Sequence, residues 1–154
     1  MKRILAFCFF ALWAVSVSAQ LTISEEGIYL NKENQPFTGS YIEKYESGQV
    51  KIEINLKNGY LDGKYTTYFE NGQINEIRTY KNGVKENRWE TYNPKGVKTA
   101  EANFLNGEKH GKWFVWDDNG TLRYDMSYSM GEKSGVWIIY DENGKKLSEK
   151  DYGE

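Results

Sequence analysis

The side chains with the clearest binding chemistry are aromatic and recur at a fixed spacing. Phe, Tyr and Trp make up 16% of the 154 residues, and aromatic anchors carry much of the energy of protein interfaces. Two aromatic columns repeat every 24 residues. The first column is Tyr41, Tyr65, Trp89, Trp113 and Trp137. The second column is Tyr68, Tyr92, Trp116 and Tyr140. A repeated structural element must therefore hold these rings at equivalent positions.

Residues suited to catalysis or metal binding are scarce. The chain has one Cys and one His, His110, which excludes cysteine–histidine metal sites and histidine-dependent triads. It has no phosphate-binding glycine loop, nucleophile elbow or dinucleotide fingerprint. Single acidic side chains recur before the turns, but calcium takes roughly six to eight oxygen ligands. We predict a non-enzymatic protein without a cofactor or a metal site.

The charge balance disfavours nucleic acid as a partner. Lys and Arg number 20 and Asp and Glu 22, which gives a net charge of −2, whereas nucleic-acid-binding domains carry a basic excess. Lys85, Lys109 and Lys133 form a basic column that offers a site for phospholipid headgroups. Each of these lysines has an acidic neighbour, and an ordinary charged turn is the favoured interpretation.

Glycines reveal the elements that position these columns. One column is Gly39, Gly63, Asn87, Gly111 and Gly135, a second is Gly48, Gly72, Gly96, Gly120 and Gly144, and a third is Gly59, Gly83, Gly107 and Gly131. Asn-Gly pairs at 58–59, 71–72, 82–83, 106–107, 119–120 and 143–144 predict type I′ hairpin turns. The sequence therefore predicts an all-β protein. Tandem 24-residue β-hairpin repeats would form a continuous, twisted antiparallel meander of about ten strands.

Strand alternation assigns the two aromatic columns to opposite faces. Trp113, which shares a face with Met126, is predicted to lie on a buried apolar face that the sheet covers by curling. Trp116 falls three residues later, on the exposed face, opposite Arg123. The predicted partner-binding residues on the exposed face are Tyr68, Tyr92, Phe114, Trp116, Arg123 and Tyr140.

The N-terminal residues are typical of a secretory signal peptide. Lys2 and Arg3 precede an apolar run that ends in small residues, which predicts cleavage between Ala19 and Gln20. The apolar run is shorter than the ~20 residues of a membrane-spanning helix, so we expect export without stable membrane insertion, to the periplasm or the medium. The predicted organisation is a signal peptide at 1–19, a capping segment at 20–38 and repeats at 39–62, 63–86, 87–110, 111–134 and 135–154.

The repeat unit resembles the bacterial variant of the MORN repeat. The residues that carry the resemblance are Gly111-Lys112-Trp113, Trp116, Asn119-Gly120, Tyr128, Gly131 and Gly135. Asn87 and Pro94 depart from the pattern in the third unit. The resemblance implies an elongated β array used for binding, and members of this variant are often labelled antitoxin components of toxin–antitoxin systems.

Three functions are compatible with these features. The favoured one is an exported protein-binding or scaffold module that uses the exposed aromatic column. The second, implied by the family resemblance, is an antitoxin or immunity-type protein that neutralises a toxin partner. The third is a glycan-binding surface protein, because separate aromatic platforms also suit sugar rings.

Overall fold

The protein folds into one large antiparallel sheet and a small N-terminal hairpin. A computed structural model describes residues 21–153, so the predicted cleavage site at Ala19–Gln20 lies outside the described residues. No helix occurs among residues 21–153, which confirms the all-β prediction. The strands are β1 (Thr22–Ile23), β2 (Tyr29–Leu30), β3 (Gly39–Lys44), β4 (Val50–Lys57), β5 (Tyr60–Tyr68), β6 (Ile74–Lys81), β7 (Val84–Lys85), β8 (Asn87–Tyr92), β9 (Lys98–Leu105), β10 (Glu108–Lys109), β11 (Gly111–Trp116), β12 (Leu122–Ser129), β13 (Glu132–Tyr140) and β14 (Lys146–Asp151).

The large sheet is a meander in which consecutive strands are neighbours. Its order is β14-β13-β12-β11-β9-β8-β6-β5-β4-β3, and the short strands β7 and β10 pair with β6 and β9. β7 and β10 directly precede β8 and β11. Asn87, at the first of these breaks, has a φ of 56°, and Gly111, at the second, has a φ of 75°. The predicted antiparallel repeat architecture is confirmed, while the exact unit boundaries stay a prediction because a hairpin array divides equally well at either edge.

The turns at one edge of the sheet are the type I′ turns that Asn-Gly predicts. At 58–59, 82–83 and 106–107 both central residues have positive φ, and Met130-Gly131 has the same conformation. The turns are also linked to one another, because each glycine N–H is donated to a carbonyl of the preceding hairpin. Gly107, for example, donates to the Lys85 carbonyl at 2.9 Å. This edge is therefore a stack of hydrogen-bonded turns.

At the opposite edge, the prediction of type I′ turns is wrong for 71–72, 119–120 and 143–144. There only the glycine has positive φ, and the loop has three residues, closed by the Asp117 N–H that donates to the Thr121 carbonyl at 3.0 Å. The Asp117 carboxylate accepts the N–H groups of Asn119 and Thr121, both at 3.0 Å. This side chain favours a type I turn that ends in a left-handed glycine.

A β-bulge beside each three-residue loop restores the register. Trp116 pairs with Leu122 and Val115 with Tyr124, so Arg123 is the extra residue of the bulge. The predicted pairing of Trp116 with Arg123 is therefore wrong. The pairing of Trp113 with Met126 agrees with their predicted common face, because the added loop residue and the bulge compensate for each other.

The sheet remains a single layer with little enclosed core. Ile54 and Leu56, 2% and 4% exposed, are the large hydrophobic side chains that are fully buried in residues 21–153. The expectation that Trp113 is buried and Trp116 exposed is wrong, since both are half-buried. Neighbouring side chains on one face of a single layer cover each other's flanks and leave their outer surfaces open. Curling does not enclose the apolar face.

The N-terminal segment packs against the first type I′ turn. Tyr29 donates its N–H to the Gly59 carbonyl at 2.9 Å, and Gly59 donates to the Phe37 carbonyl at 2.8 Å. A Cβ on Gly59 would clash with Ile28 Cγ2 and lie 3.0 Å from the Tyr29 carbonyl oxygen, so glycine is required there. The segment predicted as a cap thus covers the turn beside the buried Ile54 and Leu56.

Candidate binding faces of the sheet

The predicted partner-binding residues share one face of the sheet. The register aligns Glu90 with Glu101 and Phe114, and alternation places Tyr92 and Trp116 on that same side. We call this set the aromatic stripe; its members are Tyr68, Tyr92, Phe114, Trp116, Arg123 and Tyr140. All six are half-buried, so each retains surface for a partner.

The stripe has one close aromatic pair and separated rings on either side. The Phe114 and Trp116 ring centroids are 5.6 Å apart. Tyr92 and Tyr140 lie on strands two positions away from Trp116, about 9.6 Å at the usual strand spacing. Lys98 fills the gap towards Tyr92, with its Nζ 5.9 Å from the Trp116 ring centroid. The centre of the stripe is therefore an aromatic pair beside a cation.

Arg123 connects the centre of the stripe to Tyr140. Its Nε donates to the Tyr140 carbonyl at 3.1 Å, and its Nη1 lies 3.8 Å from Asp117 Oδ2. The extra residue of the bulge thus spans the distance to the next strand. Two hot-spot residue types, Trp and Arg, consequently occur together on an open face.

A charged cluster lies between Tyr92 and Trp116. Lys98 donates to Glu90 and, at 3.0 Å, to Glu101, while Arg88 lies 3.7 Å from Glu90. Burial would raise the pKa of Glu90, but the hydrogen bond and charge of Lys98 together bring it below its usual value. Burial would lower the pKa of Lys98, but its two carboxylate partners raise it. Glu90 and Lys98 therefore both stay ionised at neutral pH.

Two tyrosines of the stripe, Tyr68 and Tyr92, have a raised pKa and are held in their neutral form. Burial, followed by repulsion from Glu53, raises the pKa of Tyr68, whose hydroxyl donates to Glu53 at 3.3 Å. Burial and then Glu90 raise the pKa of Tyr92. Both hydroxyl groups therefore act as hydrogen-bond donors rather than as bases or nucleophiles.

The opposite face carries a longer aromatic array that sequence reasoning missed. We call it the aromatic ladder; its rings are Tyr65, Tyr80, Trp89, Phe104, Trp113, Tyr128, Trp137 and Tyr152. From Tyr80 to Tyr152, neighbouring centroids lie 4.6–5.3 Å apart. Half of the rings belong to the first column. The other half, which includes Phe104 and Tyr128, also repeats every 24 residues. That spacing could have revealed a further aromatic column on this face.

Hydrogen bonds and lysines fix the ladder rings. The indole Nε1 of Trp113 donates to the Asn103 carbonyl at 3.0 Å, and Trp89 and Trp137 make the equivalent bond. Lys109 Nζ lies 4.7 Å from the Trp113 centroid and 4.8 Å from that of Tyr128. The basic column is therefore part of the ladder face, where its ammonium groups lie over aromatic rings.

Residues 21–153 contain no group of three or more His, Cys, Asp or Glu side chains placed to hold a metal ion. Within the same residues, no helix has the length and apolar character needed to cross a membrane.

Comparison with known families matches the sequence to a repeat class. The family model described as MORN repeat variant matches residues 37–58, 61–82, 109–130 and 133–153, more than half of the chain. The chain belongs to this family. MORN repeats are in general modules that bind proteins or membranes. No curated protein matches the chain.

The unmatched middle segment keeps the MORN-type hairpin. It contains Asn87 and Pro94, the two departures from the repeat pattern, yet β8 and β9 pair over six residue pairs, from Asn87 with Phe104 to Tyr92 with Lys98. The sequence differs there, and β7 and β8 are separate strands, but the three-residue loop and the bulge are the same. The binding faces therefore run uninterrupted through the middle of the sheet.

Proposed function

We propose that the protein is an exported, non-enzymatic MORN-repeat module that binds a protein partner through the aromatic stripe. The observation that carries this proposal is the half-buried Phe114–Trp116 pair beside Arg123, on a sheet face without a second layer over it in residues 21–153. Trp and Arg are among the residues that dominate protein interfaces.

The stripe is prepared for binding because its polar groups are already ordered. Arg123 is held by the Tyr140 carbonyl and Asp117, and Lys98 by Glu90 and Glu101. Less side-chain entropy is then lost on association. A protein partner with apolar side chains for the aromatic pair, and carbonyl or carboxylate groups for Arg123, fits this surface.

Export is a separate part of the proposal and rests on the N-terminal sequence. The basic residues, the apolar run and the small residues before Gln20 form a signal of the secretory type. The mass of the protein recovered outside the cytoplasm should correspond to a chain that begins at Gln20. Recovery of the chain with Met1 intact in a membrane fraction would contradict export by this route.

The binding test compares affinity capture by the wild type and by Trp116→Ala, with Ile42→Ala as the control on the same face. Ile42 is 45% exposed and far from the stripe centre in the strand order. We expect the wild type and Ile42→Ala to retain one protein that Trp116→Ala loses. If the retained protein is a toxin encoded beside this gene, the module is an immunity-type protein that binds this toxin. Retention of envelope polysaccharide instead of protein would overturn the proposal in favour of glycan binding.

A further inference from the structure

The ladder face carries a row of cations without acidic partners. Lys85, Lys109 and Lys133 are exposed, and within residues 21–153 none of them belongs to a salt bridge. Each ammonium lies 4.7–5.2 Å from the centroids of two ladder rings. The row thus combines positive charge with an aromatic floor.

The acidic neighbours of these lysines do not neutralise the row. The Glu86 carboxylate accepts the Asn106 N–H at 2.9 Å and so belongs to the stacked turns. Glu108 and Glu132 precede Lys109 and Lys133 within strands, so alternation directs them to the other face. Their carboxylates are consequently separated from the row by the sheet.

The spacing of the row selects the conformation of an anionic partner. The lysines lie on every second strand, hence about 9.6 Å apart. In a polyproline II helix, three residues form one turn with a rise of ~3.1 Å each, so every third side chain returns to the same side after ~9.3 Å. A β-strand repeats its side chains after ~6.6 Å and therefore does not match.

We propose that the ladder face binds an extended acidic polypeptide in the polyproline II conformation, with Asp or Glu at every third position. The carboxylates would pair with Lys85, Lys109 and Lys133, and the intervening prolines would lie on the exposed flanks of the rings. Aromatic floors are a common surface for polyproline II segments, whose preformed shape limits the entropy lost on binding. This site is separate from the stripe, on the opposite face.

The row also defines how far the site extends. At the equivalent positions of the first two hairpins the lysine is replaced by Phe37 and Leu61, and the N-terminal segment packs near Phe37. At the C-terminal end, Lys150 places another ammonium group over the ladder, because its Nζ lies 4.8 Å from the centroid of the Tyr152 ring. The acidic segment therefore covers the C-terminal part of the sheet only.

The test measures the affinity of the whole exported chain for two synthetic peptides of equal length and composition. One repeats Glu-Pro-Pro, and the other repeats Glu-Glu-Pro-Pro-Pro-Pro. We expect the first to bind more tightly, with an affinity that falls as salt is added. Equal affinities would overturn the proposal, because they indicate attraction to charge without recognition of spacing. Binding of anionic lipid vesicles without binding of either peptide would also overturn it.

Variants locate the peptide on the ladder face. Lys109→Gln should weaken Glu-Pro-Pro binding by about tenfold, as expected for one charge-assisted contact, while Glu108→Gln, its neighbour on the opposite face, should not weaken it. Circular dichroism confirms that both variants are folded. Trp116→Ala should leave this binding unchanged, so failure of the stripe proposal and failure of the ladder proposal are distinguishable. Equal losses in Lys109→Gln and Glu108→Gln would contradict the assignment.

Discussion

The two faces of the sheet use aromatic residues in different ways. On the ladder face both strands of a hairpin supply a ring, as Trp113 and Tyr128 do at 5.2 Å. On the stripe face the rings occupy alternate strands, and the strands between them carry Ile74, Lys98, Leu122 and Lys146. Continuous ring contact across antiparallel strands requires a ring on every strand. The face with continuous contact supports the fold, and the interrupted face leaves its rings available.

This difference is significant because the sheet has so little enclosed core. In residues 21–153 the buried large hydrophobic side chains are Ile54 and Leu56, so most of the sheet depends on contacts within one layer. Tilted and edge-to-face pairs each contribute about 0.5–1.5 kcal/mol beyond burial. The ladder repeats such a pair at nearly every strand and so replaces the missing second layer.

The largest expected effect comes from changing the number of strands, on which both faces depend. Deletion of residues 63–86 removes one whole repeat, and the chain should stay folded with a lower melting temperature, because each unit contacts mainly its neighbours. Deletion of residues 63–74 removes half a repeat, from Gly63 in β5 to Ile74 in β6, and should abolish folding. The rest of β6 would then continue the strand that begins at Tyr60, with its direction reversed and its side chains on the wrong faces of the sheet. Circular dichroism measures both; equal behaviour of the deletions would refute the 24-residue unit.

The second prediction compares tryptophans three residues apart on opposite faces. Trp113→Ala removes two ring contacts and the hydrogen bond to Asn103, and should lower the free energy of unfolding by ~3 kcal/mol. Trp116→Ala removes one ring contact and should cost ~1 kcal/mol. Urea denaturation gives both values. A Trp116→Ala loss as large as that of Trp113→Ala would mean that the stripe also supports the fold.

The third prediction concerns the coupling between adjacent strands. A double-mutant cycle of Phe104→Ala and Trp113→Ala should give a coupling energy of ~1 kcal/mol, because their centroids are 5.3 Å apart. The matched cycle on the other face, Leu122→Ala with Trp116→Ala, should give a smaller coupling since no second ring is present. Additive losses in the first cycle would show that the ladder is not cooperative.

The smallest expected effect is the pH dependence of the charged cluster in the stripe. The pKa of Glu90 is lowered in the folded protein, so its stabilisation is present above the unfolded-state pKa and is lost as the pH falls through the folded-state pKa. Glu90→Gln should therefore reduce stability at neutral pH by less than ~1 kcal/mol, with the difference vanishing in acid. Glu149→Gln, whose partner Lys146 is well exposed, is the control and should change little at any pH. A Glu90→Gln difference that persists in acid would contradict ionic stabilisation.

The sequence predicts the repeat and its faces well because strand alternation and a constant period leave little freedom. The loop geometry at one edge of the sheet and the burial of the two faces were not predictable in the same way. The longer turn at 119–120 depends on the Asp117 side chain, which caps the loop, and the bulge at Arg123 follows from that extra residue. The half-burial of Trp113 and Trp116 depends on what packs over each face of the sheet, which the hydrophobic pattern of one strand does not encode.

Photo-cross-linking from the two faces of the sheet measures directly whether the stripe contacts a protein partner. A photoreactive phenylalanine analogue is placed at Trp116 in one variant and at Tyr128, on the ladder, in the other, and the exported proteins are irradiated in the producing culture. We expect the analogue at 116 to give a discrete protein adduct that the analogue at 128 does not give. The opposite result would contradict the assignment of partner binding to the stripe. In that case the folded variant with the analogue at 116 forms no protein adduct, and the variant with the analogue at 128 forms a discrete one.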